Sequence, residues 1–267
     1  MTNLAVQNEV FKLYYELGIT EPGEIDLEAI AFYKDAVVKR KPLTGCEARI
    51  IGVDSKAIIT VNEGSSSERQ NFSIGHELGH WFKDRGKIGN LCSKSDMDES
   101  CGQKIKHNEK VANSFASELI MPNFMMKRLI IGRPFTLDSI REIKSQFCGS
   151  FIVTLRRLIT MDTYMGFFAS YDRKGNRNYF NPSPSLPGEF FPPRCAPVGS
   201  AIHTLLRDNR EMGPTVVDGN TWCRGDLASN AVVHEHAFHY FEDEFLTLVW
   251  WQDDEPIWRH MERKGEL

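Results

Sequence analysis

Two histidines four residues apart, with a glutamate directly after the first, can set up hydrolysis on a metal ion. In His76-Glu77-Leu78-Gly79-His80 the histidines fall one helical turn apart on one face, so both imidazoles can reach one ion. Glu77 then projects beside the ion rather than onto it. There its carboxylate could take a proton from water that the metal has made acidic. The competing reading is two unrelated surface histidines, since three fixed positions in five recur by accident. The surroundings oppose it. Gly79 permits close backbone packing, and Phe72, Ile74, Trp81 and Phe82 would bury the helix.

A catalytic zinc needs a third protein ligand and an open position for water. Downstream, Asp96, Asp98, Glu99, His107, Glu109 and Glu118 are the candidates. A helix over 108–121, ended by Met121-Pro122, discriminates among them. Its apolar side chains are Val111, Ala112, Phe115, Ala116, Leu119 and Ile120. At about 100° per residue, Glu109 falls beside Ala112 and Ala116 in the buried stripe, and Glu118 roughly opposite. A carboxylate on a buried face is costly unless it meets a cation, which selects Glu109. On spacing alone, Glu109 also suits a plain charge near a helix N-terminus, favoured by the macrodipole. The group that would stabilise an oxyanion stays unassigned; His107, Arg85 or a tyrosine are open choices.

The elements that must position these groups follow from hydrophobic period. Val6, Val10, Phe11, Leu13, Tyr14 and Leu17 give an amphipathic helix over 4–18, stopped by Gly18, and a short helix follows near 27–33. Residues 48–53 and 57–61 are β-prone runs around Asp54-Ser55-Lys56, which predicts a β-hairpin. The metal-site helix spans 69–83. Residues 84–107 are polar and read as a loop. Short helices are expected at 123–131, 136–147 and 151–161. Beyond residue 162 the chain turns aromatic and alternating, as in 165–171 and 245–251, with Pro-rich joints and one helix near 199–208. That half reads as β-rich.

Two segments in order resemble a known family. Arg69-Gln70-Asn71-Phe72-Ser73-Ile74-Gly75-His76-Glu77-Leu78-Gly79-His80 resembles the core of the ImmA/IrrE metallopeptidases. Glu109-Lys110-Val111-Ala112-Asn113-Ser114-Phe115-Ala116-Ser117-Glu118-Leu119-Ile120-Met121-Pro122 is similar to that family's second signature. The resemblance covers roughly residues 24–125. It implies a compact zincin-like domain, one zinc ion held by His76, His80 and Glu109, and Glu77 as general base. It further implies a cytoplasmic endopeptidase that cleaves a helix-turn-helix repressor and so relieves repression of stress-response or mobile-element genes. Some members act as antirepressor partners of a neighbouring regulator. The expected class is therefore α+β: a peptidase domain over 1–130, a helix-turn-helix-like connector over 131–162, and a β-rich, GAF-like sensory or partner-binding domain over 163–267. The GAF-like part rests on analogy with the IrrE branch.

Other features have bland and functional readings. The helix–Gly turn–helix outline over 136–161 places Arg156 and Arg157 where they could meet phosphates or a docked repressor; the segment is not strongly basic, which favours packing or repressor docking over DNA. His234 and His236 would share one face of a strand, as the polar side of an ordinary strand, as a face that senses a ligand, or as a second metal site with Cys195 or Cys223. Cys92, Cys101 and His107 could form a metal clip or redox pair, although the cysteine spacing is unlike common zinc sites.

The bulk composition sets wider limits. The chain has 267 residues, 41% hydrophobic and 25% charged, with net charge −4; that suits folded domains and argues against general nucleic-acid binding. No apolar run nears the roughly 18 residues of a membrane span, and no secretory signal opens the chain. Six scattered cysteines without a CxxC pair fit reduced thiols. The rival to an enzyme is a non-catalytic regulator or antirepressor that binds a repressor or DNA and keeps a structural or vestigial metal site.

Overall fold

The computed structural model describes residues 3–84, 99–222 and 232–265. The chain divides into two compact units. The first is Met1–Ile131 with Glu142–Thr154, and the second is Gly132–Arg141 with Leu155–Leu267. Residues 131–162 are thus shared between the two. Among the described residues, no helix is long and apolar enough to cross a membrane.

The first unit opens with α1 (Asn3–Leu17). Its buried residues are Val6, Val10, Leu13 and Tyr14, one stripe at helical spacing. Gly18, at φ +69°, closes it through Gly18 N–H to Tyr15 O and Ile19 N–H to Tyr14 O, a left-handed end that glycine adopts without steric penalty. The next helix, α2 (Leu27–Tyr33), is capped by Asp26, whose carboxylate accepts from Glu28 N–H at 2.9 Å and Ala29 N–H at 3.1 Å.

Three strands follow: β1 (Ala36–Lys41), β2 (Ala48–Val53) and β3 (Lys56–Asn62), in the order β1-β3-β2. The expected hairpin is β2–β3, antiparallel, turning through Asp54 at φ +55°. Strand β1 pairs parallel to β3 and goes beyond what the sequence predicts. Its only buried residue is Ala36, and Lys39-Arg40-Lys41 are exposed. A charged edge strand of this kind shows no alternation to read, and its cations discourage further strand pairing. The inner face buries Ala36, Ala48, Ile50, Ala57, Ile59 and Val61.

Behind that face lies α3 (Ser67–Asp84), with Ile74, Leu78 and Trp81 buried. The Trp81 indole donates to Lys34 O at 2.7 Å and ties the helix to the end of α2. Helix α4 (Glu99–Ile120) starts eight residues before His107, so the C-terminal part of the expected 84–107 loop is helical. The stretch 99–106 has one large apolar residue, Ile105, and a polar helix without a stripe leaves no period. Pro122 starts α5 (Asn123–Ile130), and α6 (Leu137–Gln146) and α7 (Phe151–Thr160) lie close to the expected helices.

The second unit is built on five strands: β4 (Gly166–Tyr171), β5 (Arg177–Pro182), β6 (Met212–Asp218), β7 (Val232–Phe241) and β8 (Glu244–Trp251). They run β5-β4-β8-β7-β6, each pair antiparallel. Every residue of β4 is buried and nearly all of β8, so these central strands have both faces covered. On one face Phe167, Ala169, Tyr171, Val249 and Trp251 share a core with Ala201, Ile202 and Leu205 of α8 (Ala201–Asp208), Trp222 of α9 (Gly219–Trp222) and Ile257 of α10 (Glu255–Lys264). Helix α8 is the one expected near 199–208.

Glu235 of β7, fully buried, fixes α8 to the sheet. Its carboxylate accepts from Ala201 N–H at 2.8 Å, Ile202 N–H at 2.9 Å, Trp222 Nε1–H at 3.0 Å and Thr247 Oγ1–H at 2.9 Å. Burial pushes this carboxyl up while the four donors pull it down.

Candidate metal centre

Helices α3 and α4 approach closely where glycines of one face alanines of the other. A Cβ on Gly75 would sit 3.1 Å from Ala116 Cα, and one on Gly79 would sit 3.0 Å from Ala112 Cα. Each pair is spaced by four, so small residues face small residues along one turn of both helices. Beside that contact α3 carries His76 and His80, and α4 carries Glu109 and Asn113, again four apart.

The expected three side chains converge. His76 Nε2 lies 3.1 Å from His80 Nε2 and 3.2 Å from Glu109 Oε2, and His80 Nε2 lies 3.3 Å from Glu109 Oε1. Among the described residues these form a group able to share one metal ion. The fit to zinc is close. With metal–ligand distances of about 2.0–2.2 Å, donors around a tetrahedral ion stand roughly 3.3 Å apart. Two imidazoles and one carboxylate also leave a fourth position for water, as a catalytic zinc site does.

Glu77 sits in the same turn but is 3% exposed, and its Oε2 has no hydrogen-bond partner among the described residues. Burial pushes its carboxyl up to about 7, and the nearby Glu109 charge adds to that. A dication at the ligand cluster would act in the opposite sense, favouring the carboxylate. A buried oxygen with no donor, beside a cluster of metal-ligand groups, is suited to accept a proton from water.

Glu109 joins the cluster, but not by being buried. Its side chain is 49% exposed, and Glu118 is the buried carboxylate, at 2% exposure. Glu118 accepts from Asn123 N–H at 2.7 Å and caps α5. Glu109 sits at the edge of the apolar stripe, turned towards the histidines. His107 is exposed and is not part of the cluster. Arg85, Cys92, Asp96, Asp98 and Cys223 lie outside the described residues, as do the side chains of Glu99 and Cys101.

Sequence reasoning misses Asn113. Its Oδ1 lies 2.9 Å from His76 Nδ1. The available signal is its place one turn beyond Glu109 on the same helix face.

Arg156 is exposed, but Arg157 is 7% exposed. The expected pair of partner-facing arginines is corrected to one, because consecutive helical residues point about 100° apart and the fold encloses the second. His234 and His236 lie on one face of β7, each engaged locally. His234 stacks on Trp250 with ring centroids 5.3 Å apart, and His236 Nδ1 accepts from Leu137 N–H at 3.3 Å. Cys46, Cys148 and Cys195 are free thiols.

Residues 33–158 match the family model described as the IrrE N-terminal-like domain, a peptidase family. No curated protein matches the sequence. Among solved structures, a Mycobacterium tuberculosis transcriptional regulator is similar with TM-score 0.58 and 14% identity, over 92% of this chain and 75% of that one. At that identity the likeness is one of fold. The paired histidines on α3, the glutamate on α4 and the matched segment agree: residues 33–158 of this chain belong to the IrrE N-terminal-like peptidase family.

Proposed function

We propose that the chain is a zinc-dependent endopeptidase of the cytoplasm that cleaves a regulatory protein, with a helix-turn-helix repressor as the substrate class. The observation that carries this is the convergence of His76, His80 and Glu109 beside the buried Oε2 of Glu77, which has no hydrogen-bond partner among the described residues. The two imidazoles and Glu109 would hold the ion. When bound, zinc supplies Lewis acidity towards water and a carbonyl oxygen.

Glu77 Oε2 accepts one proton as the water oxygen bonds to the peptide carbonyl carbon. The same carboxyl then gives that proton to the amide nitrogen as the C–N bond breaks, leaving an acid and an amine. Enclosure of Glu77 opposes the pull of the ion's charge and so keeps its carboxyl able both to take and to return a proton. The cleaved segment must be flexible and extended, since a folded helix hides its peptide carbonyls in its own hydrogen bonds.

The second unit, with its five-stranded sheet, is the sensory or partner-binding part in this reading, and the exposed Arg156 on α7 contributes to repressor docking. The similar Mycobacterium tuberculosis protein is a transcriptional regulator, which favours a second reading, in which the chain binds a repressor or DNA without cutting. Incubation of a candidate helix-turn-helix repressor with the wild-type chain and with Glu77→Gln separates the two. Glu77→Gln should keep stoichiometric zinc and lose at least about a hundredfold in cleavage rate. Equal relief of repression by both proteins, with no fragments, would sink the enzyme reading and leave the regulator.

A further inference from the structure

Resting on the zinc reading above, we infer that Asn113 is a positioning residue that decides which nitrogen of His76 faces the ion. A histidine on a helix can turn its ring so that either Nδ1 or Nε2 points at a ligand. In neutral imidazole one nitrogen carries the proton and the other the lone pair. His76 Nε2 is the nitrogen within 3.1 Å of His80 Nε2 and 3.2 Å of Glu109 Oε2. Its Nδ1 faces Asn113 Oδ1 at 2.9 Å. An acceptor there draws the proton to Nδ1, holds the ring plane and leaves the Nε2 lone pair for the metal.

The placement follows from the helices. Asn113 is one turn beyond Glu109 on α4, so one helix presents a ligand and the acceptor that orients the opposing ligand. Packing does not account for Asn113, because its side chain is exposed. The choice of amide over carboxylate also has a reason. Glu77 and Glu109 already put two acidic groups at this site. An amide oxygen orients the ring without adding a third negative charge there.

The test uses the full chain as wild type, Asn113→Ala and Asn113→Asp, with zinc affinity measured by competition against a chromophoric chelator. Asn113→Ala should bind zinc about 10–100-fold more weakly. Its metal-free thermal midpoint should match wild type, because the lost contact is at the surface. Asn113→Asp keeps an acceptor at Nδ1 and should recover affinity to within a few-fold of wild type. Nitrogen-15 spectra of the imidazoles should show His76 protonated at Nδ1 in the zinc-loaded wild type and a mixture of tautomers in Asn113→Ala. Unchanged zinc affinity in Asn113→Ala, or an aspartate variant as weak as the alanine one, would overturn the inference. A wild-type chain that takes up no zinc would overturn the zinc reading and this inference together, a result distinct from either variant outcome.

Discussion

The Glu77 carboxyl, kept at 3% exposure with one oxygen lacking a donor among the described residues, weakens the fold that holds it, by roughly 1–3 kcal/mol for an unmet buried polar group. Glu77→Met puts an apolar chain of similar length in its place. In metal-free protein that variant should unfold at a temperature several degrees higher, while cleavage is lost; a midpoint at or below wild type in thermal denaturation would show that Glu77 carries no such strain. At this scale the sequence is informative where chemistry demands close spacing. His76, Glu77 and His80 are readable because one turn of helix fixes their relation. Glu109 is distant in sequence, and helical phase alone inverts the burial of Glu109 and Glu118. Asn113 escapes notice because an amide on a helix surface resembles any solvated polar residue, and only coordinates place its oxygen on a ring nitrogen. The enclosure of Arg157 is hidden for the same reason, since a charged pair in sequence does not say which member the fold covers.

Among the elements, α3 and α4 depend on residues that weaken helices in isolation. Glycine costs about 1 kcal/mol relative to alanine in a helix interior, yet at Gly75 and Gly79 the α4 backbone comes too near for an added Cβ to fit easily. Gly79→Ala should therefore favour α3 locally and still damage the site. The added methyl would press on Ala112 Cα at 3.0 Å, shifting α4 by a few tenths of an ångström and moving Glu109 off the histidines. The expected outcome is weaker zinc binding, by about tenfold or more, with helical content by circular dichroism retained. Full zinc affinity in Gly79→Ala would mean the close approach does not set the ligand geometry. The hairpin β2–β3 and helices α1, α5, α6, α7 and α8 are legible from period and punctuation. Strand β1 and the start of α4 are not. One has its apolar content confined to its first residues, and the other is a polar helical extension, so neither shows a hydrophobic rhythm.

For the molecule as a whole, His236 links stability to acidity. Its Nδ1 accepts the Leu137 N–H, which requires a ring without a proton there. Burial lowers its pKa, the Asp138 and Glu211 charges oppose that, and Arg141 adds to it. A free histidine takes a proton near pH 6.5, and this one does so only at lower pH. Stability present above about pH 6.5 is therefore lost as pH falls through the folded value. His236→Gln keeps a side-chain acceptor and cannot titrate, so its denaturation midpoint should fall less between pH 7 and pH 5 than that of wild type. Parallel midpoints for the two proteins would remove His236 as the cause. The expected peptidase half, connector and β-rich half capture the order of the elements. They do not capture the way residues 132–154 are divided between the two units, because tertiary allegiance leaves no local mark in composition.

That division bears on how the peptidase could be separated from the rest of the chain. Glu142–Thr154 belongs with the first unit. Lys144 pairs with Glu68 at 3.2 Å, Asn71 holds Cys148 O at 3.2 Å, and Thr154 Oγ1 reaches Met121 at 3.6 Å. A gene truncated after codon 131, where both signature segments have already been read, would leave α3 and the end of α4 stripped of these supports. The unit that holds the paired signatures is thus longer than they are: it runs on to Thr154.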